Sequence, residues 1–126
     1  MSTSLPDRLR GLRGATTVAR NEAGDIVSAS AELLTELLER NGLRPADVVS
    51  IVFTATHDLN AAFPASAART VGLDRVPVLS AAELDVPGAL GGCVRVLMHV
   101  YPARPDEELH PVYLHEAARL RADLEE

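Results

Sequence analysis

Between Val94 and Tyr101 the chain alternates without a break. Val94, Val96, Met98 and Val100 fall on one side of an extended backbone, and Arg95, Leu97, His99 and Tyr101 fall on the other. A period of two describes a strand with one apolar face against a core, and it turns Arg95 away from that face. A second stretch, 48–56, is rich in β-branched residues and apolar throughout, which predicts a central strand buried on both faces. Two such strands commit the chain to a sheet, and the other segments have to fit around it.

A third strand is expected over 9–18, with Arg13 between Gly11 and Gly14, glycines that allow a bulge or a close backbone approach. Over 25–40, Ile26, Ala29, Leu33 and Leu37 keep helical spacing, Leu34 and Leu38 widen the stripe, and Asn41-Gly42 ends it. Phe63-Pro64 opens a short helix carrying Arg69, which runs to about Val71 and stops at Gly72. A strand over 75–80 precedes a long connection, 81–92, that carries Glu83, Asp85 and Pro87. A last strand covers 110–115. This order implies an α/β (α+β) fold: a single compact domain over 1–126, its mixed β-sheet carrying helices on one face. Residues 1–8 read as a loose lead-in and 116–126 as a mobile C-terminal segment.

Composition narrows the partners. With 18 acidic against 12 basic residues and a net charge of −6, the 126-residue chain repels phosphate backbones and acidic lipid, so neither nucleic acid nor membrane is expected. Aromatic residues make up 3%, too few for a base-stacking platform. Cys93 is the only cysteine, and His57, His99, His110 and His115 are scattered, so no metal-ligand spacing exists and no disulfide framework. The opening M-S-T-S-L-P-D-R-L-R has no apolar h-region, and no apolar run is long enough to span a bilayer. A soluble cytoplasmic protein is expected.

Against this acidic background Arg13, Arg69, Arg95 and Arg121 lie beside glycine, proline or apolar residues rather than in charged runs, as a pocket for a small polyanion would require. Plainer readings stand beside that one. Arg13, Arg69 and Arg121 also fit solvated surface groups, and Arg95 a cross-strand partner of a carboxylate. Glu83 fits an ordinary loop carboxylate, Tyr113 a half-buried strand tyrosine and Phe63 a core residue.

Five blocks in order, R-G-L-R-G-A-T-T, T-A-T-H-D-L-N-A-A-F-P-A, V-P-V-L-S-A-A-E-L-D-V-P-G, C-V-R-V-L-M and V-Y-L, resemble the AroH-class chorismate mutases over 10–124. The resemblance implies the Claisen rearrangement of chorismate to prephenate, on the route to phenylalanine and tyrosine. It also implies a homotrimer with a barrel-like core and active sites between neighbouring subunits. A pericyclic reaction needs neither nucleophile nor cofactor nor metal. It needs a cavity that holds a flexible dicarboxylate compactly and stabilises charge as the ether bond breaks.

Carried over by position, Arg95 resembles the donor to the ether oxygen, and Glu83 the carboxylate that accepts from the ring hydroxyl; these are the catalytic expectations. Arg13 and Tyr113 resemble the groups holding the enolpyruvyl carboxylate. From the adjoining subunit, Phe63 and Ala65 resemble the apolar wall and Arg69 an arginine at the pocket mouth. Arg121, with Leu120 beside it, belongs to the closing C-terminal segment. Ser80 stands where better-known members have cysteine, Leu79 replaces a threonine and Ser66 a lysine, which implies weaker substrate capture rather than different chemistry. Two other readings remain open: a non-catalytic trimeric protein that binds small carboxylates or regulates, and an enamine or imine deaminase of similar architecture.

Overall fold

The computed structural model describes residues 8–104 and 106–120. The chain runs β1 (Arg10–Thr17), α1 (Ala23–Arg40), β2 (Val48–Ala55), α2 (Ala67–Thr70), β3 (Val78–Ala82), β4 (Cys93–Val100) and β5 (Val112–Tyr113). Single 3-10 turns occupy Pro45–Asp47, Pro64–Ser66 and His115–Ala117. The strands form one sheet in the order β3-β2-β4-β1-β5. β4 is antiparallel to both β1 and β2, while β3 and β5 add parallel edges, so the sheet is mixed as the element order implies.

Both helices pack on one face. Ile26, Leu33, Leu34 and Leu37 of α1 are fully buried against Leu12, Phe53, Val94, Val96 and Met98 in one core cluster, which Ala67 and Ala68 of α2 join. The helix sits so low on the sheet that a Cβ on Gly14 would lie 3.0 Å from a Leu37 methyl and 3.1 Å from a Leu33 methyl. Gly14 is therefore a packing residue: its missing side chain is the space that α1 fills.

The helix stops where the sequence indicates. Gly42 takes φ 60°, a conformation that costs glycine little, and the Leu43 N–H returns to the Leu38 carbonyl at 2.9 Å. Asn41 ties this end to the last segment. Its amide donates to the carbonyls of Leu37 (2.9 Å) and His110 (3.0 Å), and its oxygen accepts from the His110 N–H (2.6 Å).

Three elements depart from expectation. β2 is not buried on both faces: Val48, Ile51, Phe53 and Ala55 are buried, Ser50, Val52 and Thr54 are half-covered, and Val49, at a register shift against β4, is 41% exposed. The apolar run fills a core on one side and leaves an uncovered sheet face on the other. β3 starts later than 75 because Pro77 has no N–H; its carbonyl accepts from Ile51 (3.0 Å) and opens the ladder. The final strand shrinks to two residues, since Pro111 cannot donate and His115, at φ 54°, bends the chain into a 3-10 turn. Of the segment expected to be mobile, 116–120 is described and continues from that turn; most of the lead-in and the rest of the tail lie outside the described residues.

Gly14→Val should lower unfolding free energy by about 1–3 kcal/mol through overpacking against Leu33 and Leu37, as read from urea melts. Unchanged stability would mean that α1 does not rest on β1 in this way.

Candidate active site

The uncovered face carries several of the residues expected at the site. Ala15 of β1 and Thr54 of β2 lie opposite Arg95 of β4, Arg13 lies opposite Leu97, and Tyr113 pairs with Ala15. The pleat therefore puts Arg13, Arg95 and Tyr113 on the side away from the helices, where they line a cleft of about 300 Å³. Arg95 also walls a second hollow of about 390 Å³ with Glu83 and the loop after it. Both volumes suit a small ligand.

Glu83 follows β3 directly. Its backbone N–H donates to the Ala55 carbonyl at 2.8 Å, its carbonyl lies 3.0 Å from His57 Nε2, and its Oε2 accepts a hydrogen bond from the Thr54 hydroxyl. Arg95 Nε is 3.4 Å from the same Oε2, close enough for attraction but out of line for a hydrogen bond. The half-exposed ion pair contributes about 1 kcal/mol or less to stability. Arg95 Nε is thus a buried donor with no hydrogen-bond acceptor among the described residues. Such groups are rare in folded proteins, and each calls for an explanation.

The loop 83–92 is pinned at its far end by a cluster that spacing alone did not reveal. Asp58 accepts from the Gly92 N–H at 2.9 and 3.1 Å through its two oxygens and from the Thr56 hydroxyl at 2.5 Å. The same Thr56 oxygen accepts from the Cys93 N–H at 2.9 Å. Gly92 has φ 57°, and a Cβ at Gly91 would lie 2.9 Å from Asp58 Oδ2, so the glycine pair that looks like a phosphate cradle is shaped around a carboxylate of its own chain. The Thr56 hydroxyl, then the Gly92 N–H, hold the Asp58 carboxyl below the usual aspartate value. Cys93 is buried, and desolvation pushes its thiol up, as suits a small core residue.

The other expected residues lie elsewhere in the chain. Phe63, 72% exposed, borders a surface hollow of about 670 Å³ with Ala65, Ser66 and Arg69, a group that includes neither Arg95 nor Glu83. On β3, Leu79 pairs with Val52 and lies on the uncovered face, whereas Ser80 pairs with Phe53 and its hydroxyl accepts from the Ala65 N–H at 3.3 Å. Leu120 packs with Tyr113 against Ala15, Cys93 and Ala117, on the same side of the sheet as Arg95. Arg121 lies outside the described residues. Among the described residues no group of His, Cys, Asp or Glu could hold a metal ion, and no helix is long and apolar enough to cross a membrane.

A mixed sheet with helices on one face, and an arginine–glutamate pair lining clefts on the other, defines an α/β protein with a binding face for a small ligand. The sequence matches the family model for chorismate mutase type I over residues 9–124. It is 47% identical over 118 residues to the chorismate mutase AroH of Thermus thermophilus, covering 93% of this chain and 97% of that one. It is 43% identical over 117 residues to the chorismate mutase AroH of Bacillus subtilis (strain 168), covering 92% of each. In three dimensions it is similar to a chorismate mutase from Clostridium thermocellum, with a TM-score of 0.84 and 45% identity over 87% of this chain and 98% of that one. The chain belongs to the chorismate mutase type I family, and its activity class is that of an isomerase.

Because the folded-state pKa of Asp58 is depressed, its stabilising effect is complete above the ordinary aspartate value of about 4 and is lost as pH falls through the lower folded value. Asp47, lowered chiefly by its hydrogen bond from Arg44, acts in the same sense. Asp58→Asn should shrink the fall in melting temperature between neutral and acid pH; an unaltered pH profile would remove Asp58 as the loop pin.

Proposed function

We propose that this protein converts chorismate to prephenate at the Arg95 face, by restraint and electrostatic stabilisation alone. One observation carries the reading: Arg95 presents a buried donor with no hydrogen-bond acceptor among the described residues, beside a carboxylate, on the central strand of the sheet. In the rearrangement the ether C–O bond breaks as a C–C bond forms, and negative charge grows on the departing oxygen. Guanidinium donors fixed beforehand stabilise that charge without reorganising.

Glu83 accepts from the ring hydroxyl and offsets positive character on the ring. Arg13 and Tyr113 hold the enolpyruvyl carboxylate, a bidentate fork and a phenol donor suited to that group. Restraint of the extended substrate in its compact conformer supplies the remaining gain. No step requires a proton transfer, a covalent intermediate or a cofactor.

The working unit is a homotrimer in the cytoplasm, each site shared by two copies. Two features support sharing. The uncovered face leaves Leu79 and Leu97 63% and 39% exposed, with Val52 half-covered between them, an apolar surface suited to association. Phe63, Ala65 and Arg69 line a hollow of their own, apart from the clefts lined by Arg95, Glu83, Arg13 and Tyr113 in the same chain. A second copy brings the two halves together, with Arg69, Arg121 and Leu120 near the mouth. Ser66, Leu79 and Ser80 leave the reaction unchanged but lower substrate affinity, as no lysine at 66 offsets the net acidic charge.

Purified protein should accelerate the loss of chorismate absorbance; a rate equal to that of buffer rejects the reading. Arg95→Lys should cut turnover about a hundredfold or more with the trimer intact by light scattering. Near-normal turnover in that variant would strip Arg95 of its role. Co-refolding Arg95→Lys chains with Arg69→Ala chains should recover activity that neither has alone, and no recovery would argue against a shared site.

A further inference from the structure

We infer that Thr54 is a positioning residue for this reaction: its hydroxyl holds one oxygen of the Glu83 carboxylate so that the other faces the substrate. The inference rests on the role given to Glu83 above. Thr54 lies opposite Arg95 across the β2–β4 ladder and beside Ala81 across the β2–β3 ladder, so the pleat brings its side chain between Arg95 and Glu83. An ionised carboxylate can only accept, which fixes the Thr54 hydroxyl as the donor to Oε2. Oε1 makes no hydrogen bond among the described residues.

The backbone of Glu83 is already fixed at both ends of its own residue, by the Ala55 carbonyl and by His57. What remains free is a side chain with three rotatable bonds, facing a guanidinium 3.4 Å away. Left alone, a carboxylate beside an arginine closes into the bidentate, two-bond geometry that both groups favour. That closure would occupy the donors that the ether oxygen needs and turn Oε1 from the ring hydroxyl. The Thr54 hydrogen bond opposes it, keeping the pair in contact but not locked. Thr54 thereby serves both partners of the reaction centre by acting through Glu83.

The plainer account is that a β-branched residue simply suits a strand. Valine suits it equally, which makes Thr54→Val the discriminating change. With purified full-length protein and chorismate, Thr54→Val should lose about tenfold in kcat with KM and melting temperature little moved, and Thr54→Ser, which restores the hydroxyl, should return kcat close to its starting value. If Thr54→Val does not fold, Thr54→Ala removes the same hydroxyl without added bulk. A kcat that survives loss of the hydroxyl, or a Thr54→Ser variant as impaired as Thr54→Val, overturns the inference when Glu83→Gln is itself inactive. Normal turnover in Glu83→Gln instead removes the role of Glu83, and that of Thr54 falls with it.

Discussion

The pleat of β4 couples the core to the chemistry. Val94, Val96, Met98 and Val100 are buried under α1, and the residues between them, Arg95 foremost, are forced to the other side by the same backbone geometry. A register slip of one residue would expose the whole apolar set, so the hydrophobic effect that holds the sheet together also fixes the direction of the guanidinium. Burial around Gly14 reinforces this. Because α1 lies almost on the backbone of β1, the strand next to β4 has little freedom to tilt or slide.

Around that fixed arginine the structure builds outward by hydrogen bonds rather than by bulk. The loop carrying Glu83 is held at its start by Ala55 and His57 and at its end by Asp58 and Thr56. All four anchors come from the short stretch 55–58, where β2 ends and the chain leaves the sheet. A loop of ten residues with both ends fastened can hold a carboxylate in place at modest entropic cost, which is what electrostatic preorganisation demands.

Much of this was legible in the chain and some was not. The element order, the direction of Arg95 and the stop at Gly42 follow from periodicity and from the backbone preferences of single residues. Strand lengths were misjudged where proline intervened, because Pro77 and Pro111 remove donors that an apolar run does not reveal. The run at 48–56 differs in another way: apolar composition marks a strand of the sheet but cannot say that only one of its faces is covered. The pins Thr54, Thr56 and Asp58 escaped because threonine in a strand and aspartate after it are ordinary. The glycine pair 91–92 is the one signal that could have led to them: Asp58 fills the space beside Gly91, and Gly92 takes positive φ.

The three hydrogen bonds of Asn41 span the cap of α1 and the backbone at His110, 69 positions apart. β5 has only two residues in the ladder, too few to secure Tyr113 by sheet pairing alone. The last turn of the helix and the segment bearing the phenol are therefore tied through one side chain, the kind of link that makes neighbouring segments open as a unit. Fraying at a helix end, ordinarily harmless, here reaches Tyr113, on the opposite side of the sheet.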